Sequence, residues 1–103
     1  MSADFGPRRA VYSISVTAEL TGVQPQALRG YEAKGLVAPS RTEGGTRRYS
    51  RQDVEQIQRI VTLLGHGHNL AGVQRILELE AENARLRAEV QRLRGQRPRQ
   101  PGG

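Results

Sequence analysis

VQPQALRGYEAKGLVAPSRTEGGTRRYS, residues 23–50, is the stretch on which the reading of this 103-residue chain turns. Pro25 fits the first turn of a helix, where its missing N–H is one the helix leaves unused, and Gln24 stands at the capping position before it. Leu28 and Tyr31 recur at helical spacing and read as the inner face, leaving Gln24, Gln26 and Arg29 outward. Gly35 falls just past the helix end, where a left-handed backbone is commonly required. Beyond Pro39 a basic segment folds about Gly44-Gly45, with Arg41 on one arm and Arg47, Arg48 and Tyr49 on the other. Glycines between two short extended runs signal a hairpin. A short helix with outward amides and an arginine, followed by an arginine-bearing hairpin, matches a duplex: base edges for the helix, phosphates for the hairpin.

These residues carry a resemblance. The run from Tyr12 to Asp53 resembles the winged helix-turn-helix of the MerR family of bacterial transcription regulators. The matching pieces are Ala18 and Leu20 before Gly22-Val23, then Leu28-Arg29, Tyr31-Glu32, Gly35-Leu36, Pro39, Arg41, Gly45, Arg47, Tyr49 and Asp53. Two positions depart from the family pattern: Ala27 stands where many members have Thr, and Thr46 where many have Tyr. The runs Asn69–Val73 and Arg75–Glu80 are most similar to the HspR-type heat-shock repressors, so the match covers residues 11–80. The resemblance implies a mainly α fold, a MerR-like winged domain followed by a coiled-coil dimerisation helix. It also implies double-stranded DNA with an inverted-repeat operator as the ligand, repression of chaperone genes, and the Hsp70 chaperone as a co-repressor.

Composition is compatible with that. Sixteen basic residues against ten acidic give a net charge of +6, as expected of a nucleic-acid binder, though a basic surface alone does not select one. Apolar residues make up 36% and aromatics 4%, so the core must be small and aliphatic. There is no cysteine, which excludes a disulfide frame and the thiolate sites of metal-sensing MerR relatives. The N-terminal residues lack an apolar signal segment, and no apolar run approaches the ~18 residues of a membrane helix. A cytoplasmic protein is expected, with no membrane partner, no cofactor and no small-molecule effector.

Taken in order, residues 1–10 read as a disordered leader containing Arg8 and Arg9, with a phosphate-touching arm as the alternative. Val11–Ile14 reads as an extended entry, and Ser15 as the cap of a helix whose Ala18 and Leu20 face the core. The helix-turn-helix then spans about 14–33 and the wing about 37–49, inside a DNA-binding domain over 11–78. Ser50-Arg51-Gln52-Asp53 reads as a capping box opening a third helix, with Val54, Ile57, Ile60, Val61 and Leu64 as its apolar stripe. Gly65-His66-Gly67-His68 ends that helix; the two histidines read as loop residues rather than metal ligands.

Asn69 caps a last helix that nothing interrupts before Gly95. Leu70, Val73 and Leu77 can pack onto the third helix. Beyond them Leu79, Leu86 and Leu93 repeat at sevens, each preceded three residues earlier by Ile76, Asn83 and Val90. Over 76–94 these are the d and a positions of a short coiled coil, so a second copy is the expected cover. Flanking charges favour a parallel pair, and the family resemblance an antiparallel one. Residues 95–103 read as a disordered basic tail.

The DNA-binding candidates are therefore Gln24, Gln26 and Arg29 on the helix, reading base edges or adjacent phosphates, with Tyr31 shared between core and phosphate, and Arg41, Arg47, Arg48 and Tyr49 on the wing holding the backbone. No nucleophile–base pair, metal set or phosphate loop can be assembled, so an enzyme is not expected. Two other classes stay open: an excisionase-like architectural protein that bends DNA, and a coiled-coil adaptor whose helix-turn-helix no longer binds DNA.

Overall fold

A computed structural model describes residues 6–96. In chain order the elements are β1 (Ala10–Tyr12), α1 (Ile14–Thr21), α2 (Pro25–Ala33), β2 (Ser40–Arg41), β3 (Arg47–Ser50), α3 (Arg51–Gly65) and α4 (Leu70–Gly95). The fold is mainly helical, with a winged helix-turn-helix in front of one long helix.

The first helix starts two residues earlier than its sequence signals. Ser13, not Ser15, is the cap, its Oγ accepting from the Val16 N–H at 3.2 Å. The inward face then consists of Ile14, Thr17 and Ala18, three and four residues apart, and Leu20 falls to the side, 49% exposed. Thr17 is fully buried because its hydroxyl donates to the Ser13 carbonyl at 2.8 Å, so no polar atom is stranded. Gly22 (φ 73°) makes the turn into α2.

α2 ends in a Schellman arrangement. The Leu36 N–H reaches the Tyr31 carbonyl and the Gly35 N–H reaches the Glu32 carbonyl, both at 2.9 Å, with Gly35 at φ 76°. Leu36, the residue beyond, is buried in the core.

The three short strands form one antiparallel sheet in the order β1-β3-β2, with Ala10 opposite Ser50 and Ser40 opposite Arg48. Residues 6–10, expected within a disordered leader, are instead engaged. Ala10 belongs to β1, and the Pro7 carbonyl accepts from the Gln52 N–H at 2.9 Å. Residues 1–5, the rest of that leader, and the tail from residue 97 onward lie outside the described residues.

Ser50 closes the sheet and opens α3. Its hydroxyl accepts from the Asp53 N–H at 3.0 Å while its own N–H donates to the Asp53 carboxylate at 2.9 Å, so the capping box is complete. The buried stripe of α3 is Val54, Ile57, Ile60 and Leu63, with Leu64 partly covered. Val61, expected in the stripe, is 39% exposed. Positions 61 and 63 are ~160° apart around a helix, nearly opposite, and Leu63 is the one that joins the core cluster together with Val73 of α4.

Asn69 caps α4 as expected, accepting from the Gly72 N–H at 2.8 Å. Leu70, Val73, Ile76 and Leu77 join the core cluster of Val23, Leu28, Tyr31, Leu36, Val37, Tyr49, Ile57, Ile60 and Leu63. From Glu78 to Gln96 every residue is exposed.

Because a Cβ at Gly35 would meet no neighbour, its conformation alone sets the cost of replacing it. Gly35→Ala is expected to destabilise the protein by about 1–2 kcal/mol, while Gly35→Asn, which tolerates the left-handed region, costs less. Thermal unfolding of both variants reads the difference.

Candidate nucleic-acid interface

α2 presents its outward face as expected. Gln24, Gln26 and Arg29 are all exposed, joined by Ala33 one turn beyond Arg29, while Leu28 and Tyr31 point inward. Gln24 caps by backbone geometry only; its side chain makes no capping hydrogen bond. With Pro25 at the next position, the amide side chain is left outside the helix mouth.

Of the two aromatic candidates, Tyr31 lies on the inner face that its helical spacing gives it, and Tyr49 sits elsewhere than its sequence reading placed it. Tyr31 is 8% exposed and packs with the core cluster. Tyr49 is fully buried, and its hydroxyl has no hydrogen-bond partner among the described residues. On a strand, side chains alternate between faces, so if Arg48 points outward Tyr49 must point in. Burial raises the pKa of both phenols, so each stays neutral through the ordinary pH range. As packed, the Tyr49 side chain is part of the core and not of the contact surface.

The wing is held by a residue that sequence reasoning passed over. Glu32, on the edge of α2, accepts from Arg47 Nε at 2.6 Å and from Arg41 Nη2 at 3.1 Å, so one carboxylate spans both strands of the hairpin. Arg41 also donates through Nη1 to the Gly45 carbonyl at 2.9 Å. The hairpin tip closes through the Thr42 N–H on the Thr46 carbonyl at 2.8 Å and the Gly45 N–H on the Thr42 carbonyl at 2.9 Å. Of the Gly pair, Gly45 alone has a positive φ, 85°, as a three-residue hairpin loop requires. The signal for Glu32 was present: an acid on a helix whose outward face is otherwise amide and arginine, shortly before two hairpin arginines.

A second basic group also comes together. The Pro7–Gln52 hydrogen bond brings the turn carrying Arg8 and Arg9 beside the start of α3, where Arg51 is exposed. Arg48, half-buried, donates to the Arg47 carbonyl at 3.2 Å.

The dimerisation candidates divide. Ile76 is partly buried against the domain core. Leu79, Leu86, Val90 and Leu93 are 45–54% exposed and, with Asn83, lie along the free length of α4. That length carries ion pairs at i,i+3 spacing, Arg75–Glu78, Arg85–Glu82 and Arg92–Glu89, and Arg59 of α3 pairs with Glu80 at 2.6 Å near its base.

Outward amides and arginine on a short helix, with a latched basic hairpin beside it, make up the candidate DNA-reading surface. Comparison with known proteins agrees. The model of the MerR HTH family of regulatory proteins matches residues 12–80. A Streptomyces coelicolor protein bearing the name heat shock protein HspR is 49% identical over 84 residues, 81% of this chain. The match spans 56% of that relative's length. Among solved structures, a MerR-family transcriptional regulator from Bacillus cereus superposes with a TM-score of 0.62 at 28% identity, covering 82% of this chain and 72% of that one. HiNmlR, a MerR-family regulator lacking the sensor domain and solved on promoter DNA, shares the fold with a TM-score of 0.61 at 22% identity, over 81% and 75% of the two chains. The chain belongs to the MerR family of DNA-binding transcriptional regulators. Among the described residues no helix is long and apolar enough to cross a membrane.

Two tests follow from the geometry. Tyr49→Phe removes an unpaired buried hydroxyl, so DNA affinity should stay within about twofold and stability should hold or rise by about 1 kcal/mol. A large loss of DNA affinity would mean that the hydroxyl reaches a phosphate in the complex. The second test uses acid. The hydrogen bond from Arg47, aided by the attraction of Arg47 and Arg41, lowers the pKa of Glu32. A depressed carboxyl stabilises the fold fully above its unfolded pKa and loses that contribution as pH falls through the folded value. Wing docking should thus be constant through neutral pH and fail only below the ordinary carboxylate range, as the Glu32 carboxyl carbon signal in an NMR titration would reveal.

Proposed function

We propose that this regulator acts as a dimer on an inverted-repeat operator and represses heat-shock or chaperone genes. The observation that carries the DNA-reading part is the pairing of an exposed Gln24, Gln26 and Arg29 face with a wing latched beside it. Gln26 and Arg29 read base edges in the major groove, Gln24 contacts the adjacent backbone or base edge, and Arg48 with the terminal nitrogens of Arg47 holds phosphates. Arg41, tied to Glu32 and Gly45, acts more through the shape of the wing than through direct contact.

Dimerisation is assigned to Leu79, Asn83, Leu86, Val90 and Leu93, with Ile76 at the junction where the seam leaves the domain. Apolar side chains repeating at sevens along a solvated helix call for a partner helix of the same pattern. The two recognition helices would then meet half-sites about 34 Å apart, one turn of the duplex. The heat-shock assignment, the Hsp70 chaperone as co-repressor and a cytoplasmic location rest on similarity to HspR.

Selection of genomic fragments by the purified protein, at two salt concentrations, tests the regulator. A discrete inverted repeat upstream of chaperone genes is expected, with affinity falling steeply in salt. Repeats upstream of other genes would remove the heat-shock assignment, motif-free coating of DNA would replace the regulator with an architectural protein, and no binding would leave the adaptor. Adding purified Hsp70 to the selected complex should tighten it; unchanged affinity removes the co-repressor. Leu86→Glu should convert the dimer to monomer in sedimentation and reduce operator affinity at least about tenfold, since the dimer's second half-site is lost.

A further inference from the structure

A carboxylate on a DNA-reading helix calls for a reason, since phosphates repel it. Glu32 is the acidic residue of α2, and its side chain is 21% exposed beside the outward face that carries Arg29. Both of its oxygens are used, Oε1 by Arg47 of β3 and Oε2 by Arg41 of β2. Arg41 carries the connection onward to the Gly45 carbonyl at the wing tip. Helix, both strands and tip are therefore joined through a single side chain. The same contacts alter the charge available to DNA. Two arginines and one carboxylate sum to +1, and both terminal nitrogens of Arg41 are already occupied. Arg47 spends Nε on Glu32, leaving its terminal nitrogens for an outside acceptor.

We propose that Glu32 is a positioning residue that sets sequence discrimination: it fixes the wing against the recognition helix and withholds Arg41 and part of Arg47 from indiscriminate phosphate binding. This rests on the DNA-binding reading above. A wing free to swing could satisfy phosphates on any duplex, because electrostatic contact is independent of sequence. A latched wing places its contacts in one register relative to Gln26 and Arg29, so that only a duplex whose bases fit the helix also meets the wing.

The test compares wild type with Glu32→Gln, which keeps the size of the side chain and removes its charge. Affinity is measured for the duplex recovered from the genomic selection and for a random-sequence duplex of equal length, each over a range of salt. The expected result is about a tenfold loss on the selected duplex, with equal or tighter binding to the random one. The salt slope should also steepen by roughly one to two, because the freed arginines add phosphate contacts. Combined with Arg47→Gln, the Glu32→Gln effect should shrink, since the latch is already open. Equal losses on both duplexes with an unchanged slope, in a variant that unfolds at the wild-type temperature, would overturn the proposal. So would affinities and slope within twofold of wild type. Should Glu32→Gln fail to fold, the wild-type protein still decides. The Arg47 Nε–H resonance must be hydrogen-bond shifted and protected from solvent exchange, and a free-arginine signal would overturn the latch. Wild type that binds neither duplex fails the underlying DNA reading, a result visible before any variant is made.

Discussion

The burial of the Tyr49 side chain ties the wing to the rest of the molecule. A hairpin of a two-residue and a four-residue strand has little stability by itself. Here its inner strand sends one aromatic ring into the core beside Leu28 and Ile57, all three fully buried, and the next residue, Ser50, caps α3. Within Arg47–Ser50 the two faces of the strand are used differently: Arg47 and Tyr49 share the face on which Arg47 meets Glu32 and Tyr49 is buried, Arg48 lies on the other, and Ser50 starts a helix. The period-two geometry of a strand makes that division possible.

Much of this was legible from residue types at fixed spacing. Pro25, Gly35, the Ser50–Asp53 box and Asn69 each announce a helix boundary by local chemistry, and local chemistry is what a sequence displays directly. What was obscured involves choices between neighbouring residues of similar kind. Ser13 and Ser15 are both good caps, and tertiary packing of Ile14 and Thr17 selects the earlier one. Val61 and Leu63 are both apolar, and the side on which α4 lies decides between them. Tyr49 looked like a wing contact because it follows two arginines, but strand alternation turns it inward. β1 was read as a mere entry, since a three-residue strand has no signature until its partner β3 is known.

The candidate site was legible in composition and less so in organisation. Gln24, Gln26 and Arg29 emerge on the exposed side of α2 because Leu28 and Tyr31 define the other side. The arginines of the wing were visible, but their tie to Glu32 was not, since it joins positions 9 and 15 residues apart. Electrostatic networks of this kind close only when two elements are folded against each other. They turn a tally of positive charges into an arrangement in which some cations are committed and others remain available.

The long helix behaves as a lever. Its root is fixed by Val73 and Leu77 in the core and by the Arg59–Glu80 pair, and beyond Glu80 it runs through solvent. From Glu80 to Gly95 the helix extends roughly 22 Å, so a tilt of about 10° at the root displaces its far end by roughly 4 Å. Whatever grips the end therefore reads an angle that is set elsewhere. Residues at the α3–α4 junction thereby govern where the far end of the helix stands relative to the domain.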